Sequence, residues 1–274
     1  MAIDIVYILG DGAADNGDMP LRWSLRSLEK FGTGIDRIIV CGHIPNWLSD
    51  EVVKIPIDRN SEHGGKSWNI LYAYRTAIER AGIFRPFLYS SDDHYLCRPS
   101  NMRRWPRYYN KGKWNGQLIS YAEYIRQYNQ LPIRYQVSLF KTYEILRENG
   151  LSCRRACVHL NTWADPEDIY SAIDLAEKYE TRTIDGFEPT CLINAFYEKR
   201  MAEKGVVSTF RPYIHDDKVN TVEDCLEKIK LNVPGFSTSQ KAETDPVVIE
   251  WMNGFYDRPS RWENKNGLDS NLGR

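Results

Sequence analysis

A chain of 274 residues with 42% hydrophobic and 27% charged side chains is long enough to bury a sizeable core and has a globular composition. Its 36 basic and 37 acidic side chains leave a formal charge of −1, which excludes binding of nucleic acid or membranes through net charge; a local patch would be needed. No CxxC pair, signal peptide or apolar run of about 18 residues occurs, so we expect a cytoplasmic protein with reduced thiols and no membrane span. Nothing in the sequence indicates an obligate protein partner.

Strand and helix patterns alternate through the first 97 residues. Short apolar runs bounded by glycine or polar residues predict strands, and apolar residues at helical spacing predict helices. The predicted strands are 3–9, 35–41, 52–57 and 87–90, and the predicted helices are 20–31 and 66–80. This order is typical of an α/β fold with a mixed, mostly parallel sheet flanked by helices.

The second half continues with longer helical patterns. Helical spacing over 118–149, interrupted at Leu131-Pro132, predicts a helical insertion. A strand is predicted over 157–163, after which Asp165 suits a helix N-cap and Pro166 the first helical position. Further helical segments are predicted over 169–179, 190–204 and 225–233, followed by an extended, partly ordered C-terminal tail.

The functional interpretation rests on the residues that follow the predicted strand 87–90. Here Ser90 and Ser91 lead into Asp92, Asp93 and His94. Adjacent carboxylates repel each other and need a cation, a hydrogen-bond cradle or deep solvation. A Mg²⁺ or Mn²⁺ ion that bridges to a phosphate meets this need, because these metals prefer oxygen ligands. The alternative is a turn whose aspartates cap the next element.

Other candidate ligand contacts follow from the predicted sheet. Gly10 and Asp11 end the first strand, and ligands of such sheets bind at the carboxyl ends of strands, where the aspartate pair also lies. Asp11 equally suits a turn that needs no ligand. Lys66, at a helix start, and Arg22 and Arg26, one turn apart on a helix, are candidate phosphate or base contacts. For these three residues the alternative is ordinary surface charge.

The segment 98–114 is basic and aromatic, and no acidic residue occurs between His94 and Glu123. Its cations would neutralise a leaving diphosphate, or hold a nucleic-acid backbone while its rings stack on bases. The alternative is a solvated loop whose rings pack locally. The candidate acceptor-binding residues are Arg103, Arg104, Trp105, Arg107 and Trp114.

Four segments carry a family resemblance: 3–7, 21–30, 44–48 and the stretch ending in Ser91-Asp92-Asp93. In this order they resemble the N-terminal half of the Stealth family of sugar-phosphate transferases and its phage and bacterial glycosyltransferase-like relatives. His159 and the segment 255–263 match the second half more loosely. Departures are Ser91, where the family has Asn, and Ile8-Leu9-Gly10-Asp11, where the family has Thr-Trp-Val-Asp. The resemblance implies a GT-A-like nucleotide-sugar fold.

The resemblance also implies a function and a metal site. The protein would be a metal-dependent glycosyltransferase that moves a sugar from a nucleoside-diphosphate sugar, with a UDP-sugar as the expected donor, to an acceptor hydroxyl. Asp93 would bind Mn²⁺ or Mg²⁺, while Asp92 would hold ribose or stand in the second metal shell. An Asp-x-His variant would put His94 in place of Asp93 or beside it. His159, at a strand end, is a further candidate ligand, with His215 as its rival.

An inverting transferase also needs a carboxylate that accepts the proton of the acceptor hydroxyl. Candidates are Asp185, Glu188 and Asp165, although capping alone explains Asp165. The acceptor would be a glycan or a hydroxylated base in DNA, in the host cytoplasm if a phage encodes the protein.

The domain interpretation follows the same resemblance. We expect a nucleotide-sugar-binding half over 1–97, the basic-aromatic loop and helical insertion over 98–150, an acceptor-side half over 151–264 that completes the same domain, and a flexible tail over 265–274. Two alternative functions remain: a Stealth-type sugar-phosphate transferase that releases a nucleoside monophosphate, and a non-catalytic sugar or nucleic-acid binding module.

Overall fold

The structure is a computed structural model that describes residues 2–10, 17–57, 65–105, 125–126, 134–151, 161–179, 186–205 and 218–264. The strands in these ranges are β1 (Ile3–Leu9), β2 (Gly32–Thr33), β3 (Ile35–Gly42), β4 (Val52–Pro56), β5 (Phe87–Ser90), β6 (His94–Leu96), β7 (Ser100–Asn101), β8 (Thr162–Ala164) and β9 (Gly235–Ser237). The helices are α1 (Met19–Phe31), α2 (Lys66–Ala81), α3 (Arg134–Glu148), α4 (Pro166–Lys178), α5 (Pro189–Glu203), α6 (Val222–Lys230), α7 (Gln240–Thr244) and α8 (Pro246–Phe255).

The central sheet has five strands in the order β4-β3-β1-β5-β8. Strand β1 pairs in parallel with both β3 and β5, β3 pairs in parallel with β4, and β8 pairs antiparallel to β5. The prediction of a mixed, mostly parallel α/β sheet is therefore confirmed. The chain moves outward from β1 to β3 and β4, then returns to the other side of β1 as β5. Such a reversal opens a crevice at the carboxyl ends of β1 and β5.

Both faces of the sheet are covered, which explains why β1 is an almost continuous apolar run. On one face, Val6 packs in a core that includes residues of α2, α3, α4 and α5. On the other face, Ile5 and Tyr7 pack against α1 through its apolar stripe of Leu21, Leu25 and Leu28. The side chains of β1 alternate between these two cores, as the two-residue period of a strand requires.

The predicted extended C-terminal tail is wrong for residues 234–264. Strand β9 pairs antiparallel with β6, and helices α7 and α8 follow it. Phe236, Met252 and Tyr256 bury their side chains in a third core, formed against the outer side of α1. This apolar burial stabilises a folded segment, and the Asp245 carboxylate caps α8 by accepting the Val247 N–H at 2.9 Å.

Most other predicted elements agree with the structure to within one or two residues. Helix α6 begins three residues before the predicted segment, because Thr221 forms a capping box with Asp224. Of the predicted helical insertion the structure describes mainly α3, and of the predicted strand 157–163 only its end, which continues as β8. No helix in the described ranges is both long and apolar enough to cross a bilayer.

Candidate functional site

The crevice at the carboxyl ends of β1 and β5 is bordered by Gly10 and by the turn that contains Asp92 and Asp93. Tyr7 is the register partner of Ser90, so the residues that follow these two strands leave the sheet at the same edge. Asp92 and Asp93 then form a turn between β5 and β6. The structure thus brings the aspartate pair and the end of β1 together, at the edge where ligands of parallel sheets bind.

Asp93 is held in place by side chains from distant parts of the chain. Its side chain is buried, and its Oδ2 lies 2.6 Å from the ammonium nitrogen of Lys218. The Ser91 hydroxyl donates to Oδ1 of Asp93, and the Thr238 N–H donates to its carbonyl oxygen at 3.2 Å. The Asp93 carboxylate therefore has side-chain contacts with Lys218 and Ser91, whereas the backbone N–H groups of Asp92 and Asp93 contribute to holding the Asp92 carboxylate.

Two further carboxylates, those of Asp92 and Glu243, are close enough to Asp93 for their charges to act on one another. Burial, aided by the charge of Asp93, raises the pKa of Asp92 to about 6. Burial also raises the pKa of Glu243 to about 7, and repulsion from Asp93 and Asp92 outweighs the attraction of Lys218. The Thr238 hydroxyl donates a hydrogen bond to Glu243 Oε1 at 2.8 Å. We call Asp92, Asp93 and Glu243 the acidic cluster. The Lys218 ammonium contacts Asp93 and also acts electrostatically on Asp92 and Glu243.

The chemistry of the acidic cluster fits a hard divalent cation. No group of three or more His, Cys, Asp or Glu side chains is arranged as a ready metal site in the part of the chain that the structure describes. Mg²⁺, however, commonly takes one or two protein carboxylates and completes its shell with water and substrate phosphates. Asp92 and Asp93 fit that mode of binding, because they are adjacent carboxylates at the carboxyl end of β5.

His94 belongs to the core rather than to the crevice surface. It is buried as the first residue of β6, where its ring meets Trp105 edge to face with centroids 5.8 Å apart. On the neighbouring strand, a side chain in place of Gly235 would come within 2.8 Å of His94 Nε2. These contacts give His94 a packing role and leave the two aspartates as the candidate metal ligands.

Arg22 and Arg26 are engaged by a buried carboxylate from the end of the chain. Glu263 accepts from Arg26 Nε at 2.8 Å and Nη2 at 2.9 Å, and from Arg22 Nη1 at 3.0 Å. Although burial acts to raise it, these guanidinium groups hold the pKa of Glu263 below its usual value. The Arg22 guanidinium also stacks over the Trp47 ring at 4.2 Å. Both arginines thus fasten residues near 263 to α1, which sequence reasoning had not anticipated.

Lys66 and Glu188 lie at the carboxyl edge of the sheet, where the crevice also lies. Helix α2 runs from the carboxyl end of β4 back toward the start of β5, so its first residue, the exposed Lys66, is at the carboxyl edge. The Ser67 hydroxyl donates to the Phe187 carbonyl at 2.5 Å, which brings Glu188 to the start of α2. Glu188 precedes α5 and accepts from the Thr190 hydroxyl at 2.7 Å.

Asp165 lies at the opposite edge of the sheet. Because β8 is antiparallel to β5, its last residue pairs with Phe87, the first residue of β5. Asp165 follows there, caps α4 in a capping box and forms an ion pair with Arg200 at 3.1 Å. The capping explanation accounts for this residue, and the structure does not bring it to the crevice.

In the basic-aromatic segment, Arg103 and Arg104 lie away from the crevice, whereas Trp105 is packed in the core beside His94. Arg103 and Arg104 belong to a 3₁₀ turn after β7, which pairs with β2 next to the amino end of β1, and Arg103 packs on Gly34 there. Trp105 is a core residue whose indole N–H donates to the Asn161 carbonyl at 2.6 Å. These positions favour local packing over acceptor binding for Trp105. Asp11, Arg107, Trp114, His159 and Asp185 lie outside the described residues.

Sequence reasoning missed three polar residues at or beside the site: Lys218, Glu243 and Asn161. None belongs to a recognisable motif, since Lys218 and Glu243 reach Asp93 only through the pairing of β9 with β6. Lys218 also lines an open groove of about 370 Å³ along α6. Asn161 is only 1% exposed and directly precedes β8, whose Thr162 pairs with Tyr89, so it lies near the end of β5. Its side-chain amide makes no hydrogen bond within the described ranges.

In comparisons with known proteins, no protein-family model matches this chain and no curated protein matches it.

Proposed function

We propose that the protein is a metal-dependent glycosyltransferase with a GT-A-like fold, which transfers a sugar from a nucleoside-diphosphate sugar to an acceptor hydroxyl. One observation carries the proposal: Asp92 and Asp93, with Glu243 beside them, lie at the carboxyl end of β5, at the crevice between β1 and β5. A divalent cation would offset the charge of these carboxylates and could bind a diphosphate through its remaining coordination positions, at the edge where α/β sheets bind nucleotides.

Each residue of the cluster has a role in this proposal. Asp92 and Asp93 would hold Mn²⁺ or Mg²⁺, which when bound supplies charge stabilisation for the departing diphosphate. Lys218, 2.6 Å from Asp93, adds a second positive charge for the leaving group. Lys66, exposed at the same edge, is a further phosphate contact in the proposal.

We choose Glu243 as the general base, ahead of the candidates Asp185, Glu188 and Asp165 that the sequence suggested. Burial raises the pKa of the Glu243 carboxylate, which makes it a stronger proton acceptor than a solvated glutamate. Thr238 orients the group through its hydroxyl, 2.8 Å from Glu243 Oε1. Glu188 remains an alternative for an acceptor that approaches from the side of α2, and Asp185 remains a prediction outside the described residues.

The expected donor is a UDP-sugar, and the acceptor is a glycan or a hydroxylated base in DNA. The groove along α6 reaches Lys218 and offers a route for the acceptor. Arg103 and Arg104 lie at the amino edge of the sheet, so a DNA acceptor would depend on Arg107 and Trp114 of the same segment.

A thermal-shift screen of nucleotide sugars with and without Mn²⁺ tests the proposal. We expect one donor to raise the melting temperature only with Mn²⁺, because ligands that bind the native state stabilise it by mass action. Asp93→Asn should abolish this shift, whereas Glu79→Gln, which alters an exposed pair on α2, should keep it. Turnover should release a nucleoside diphosphate; a monophosphate would instead identify sugar-phosphate transfer. The absence of any Mn²⁺-dependent donor binding would overturn the proposal.

A further inference from the structure

Asp18 and His43 form a second polar pair at the carboxyl edge of the sheet, on the other side of β1. Asp18 directly precedes α1 in a left-handed backbone conformation, with φ of 57°. His43 directly follows β3, and its N–H donates to the Leu9 carbonyl at the end of β1 with a distance of 3.2 Å. The pair is therefore positioned by the two strands and the helix that border this part of the edge.

The facing atoms of the pair are enclosed but poorly satisfied. His43 Nε2 lies 3.3 Å from Asp18 Oδ1, and the Asp18 residue is only 6% exposed. Within the described ranges neither of these atoms makes a hydrogen bond. A charge-assisted hydrogen bond between them would have a length of about 2.7–2.9 Å and suitable alignment. The guanidinium of Arg22, one turn along α1, forms its ion pair with Glu263.

We propose that Asp18 Oδ1 and His43 Nε2 are two ligands of a divalent transition-metal ion. Metal–nitrogen and metal–oxygen bonds of about 2.0–2.2 Å at a tetrahedral angle place neighbouring ligand atoms about 3.3–3.5 Å apart. The separation in this structure, 3.3 Å, matches that spacing. Imidazole nitrogen beside a carboxylate suits Zn²⁺ or Co²⁺ better than Mg²⁺ or Ca²⁺. The described residues bring no third His, Cys, Asp or Glu ligand to this pair, so water or a bound ligand would complete the coordination.

This metal site is separate from the acidic cluster and does not depend on the proposed function. Strands β3 and β5 flank β1, so their ends lie two strand spacings apart, or about 10 Å. The two sites also differ in ligand chemistry, because the acidic cluster offers oxygen ligands and the Asp18–His43 pair includes a nitrogen. The oxygen-rich cluster should prefer Mg²⁺ or Mn²⁺ together with phosphate.

Titration of the whole protein with Co²⁺ and Zn²⁺, in the absence of nucleotide, tests the inference. We expect one Co²⁺ to bind with a visible absorption band that Zn²⁺ bleaches by competition. His43→Gln and Asp18→Asn should each weaken binding by about 100-fold or more, in line with the loss of a ligand or of its close support. Glu79→Gln, an exposed control on α2, should bind Co²⁺ as the wild type does.

A direct readout covers the case in which a variant does not fold. In the ¹⁵N-histidine-labelled wild type, one equivalent of Zn²⁺ should shift the imidazole resonances of a single histidine, assigned to His43 with whichever variant remains folded. Circular dichroism reports whether each variant is folded. The inference would be overturned if the wild type binds no Zn²⁺, or if Zn²⁺ binding persists in folded His43→Gln. It would also be overturned if Asp93→Asn is the variant that weakens Zn²⁺ binding.

Discussion

The ammonium nitrogen of Lys218 lies 2.6 Å from Oδ2 of Asp93, an ion pair between residues 125 positions apart in the sequence. Lys218 is 34% exposed at its side chain, whereas Asp93 is buried. This pair joins the segment before α6 to the crevice at the end of β5. Lys218 also supplies positive charge to a cluster with three carboxylates, so removing its side chain should increase the repulsion among those carboxylates.

We expect Lys218→Ala to lower the free energy of unfolding at pH 8 by about 1–2 kcal/mol, since the pair is partly exposed and so worth less than a fully buried one. Urea unfolding measures this loss. Lys54→Ala, which removes an exposed pair with Asp50, should change stability by less than about 0.5 kcal/mol. If Mn²⁺ occupies the acidic cluster, it should stabilise Lys218→Ala more than the wild type. Equal stability of the two proteins without metal would contradict the role given to Lys218.

The acidic cluster should also make stability depend on pH. The folded-state pKa values of Asp92 and Glu243 are raised, to about 6 and about 7, above unfolded values near 4. Groups with raised values contribute stability that is present at low pH and lost as the pH rises through the folded-state value. The wild type should therefore lose stability from this source between pH 5 and pH 8.

Glu243→Gln isolates one part of that dependence. The variant should show a shallower decline between pH 5 and pH 8 and be more stable than the wild type at pH 8, by about 1 kcal/mol after allowance for solvent screening. Chemical unfolding at several pH values gives both curves, and Glu250→Gln on α8 serves as an exposed control. Parallel curves for Glu243→Gln and the wild type would show that Glu243 does not titrate in this range.

Glu263 should have the opposite dependence on pH. Its pKa is lowered, so the stability that it contributes is present above its unfolded value and is lost as the pH falls through the folded-state value. Glu263→Gln should cost about 3 kcal/mol at neutral pH, because it leaves Arg22 and Arg26 without their buried counter-ion. Thermal unfolding measures the loss. Arg261→Ala, which removes an exposed side chain two positions before Glu263, is the control and should change the melting temperature little.

Substitution of Asn161 should weaken donor binding without lowering stability. A buried amide without hydrogen bonds destabilises the native state by about 1–3 kcal/mol, so Asn161→Leu should be as stable as the wild type or more stable. If the amide binds the donor, the same variant should bind it at least about 10-fold more weakly, which corresponds to the loss of one or two hydrogen bonds. Calorimetry of donor binding and urea unfolding give the two values. A less stable variant with unchanged donor affinity would mean that Asn161 is structural.

The sequence predicted the parts of this fold that depend on local patterns. Strand β1 and helix α2 have clear apolar periodicity, and the run from Phe87 into the aspartate pair marks the end of a buried strand. The partners of Asp93 were beyond such reasoning, because Lys218 and Glu243 approach it only through the pairing of β9 with β6. Arg26 likewise gave no local sign that its partner would be Glu263, 237 residues later.

The most direct test of the central claim is calorimetric titration of a UDP-sugar in the presence of Mn²⁺, repeated after the metal is removed with EDTA. We expect measurable binding by the wild type and by Glu79→Gln, and none by Asp93→Asn or by the wild type without metal. Donor binding that survives both metal removal and Asp93→Asn would contradict the assignment of the crevice as a metal and diphosphate site.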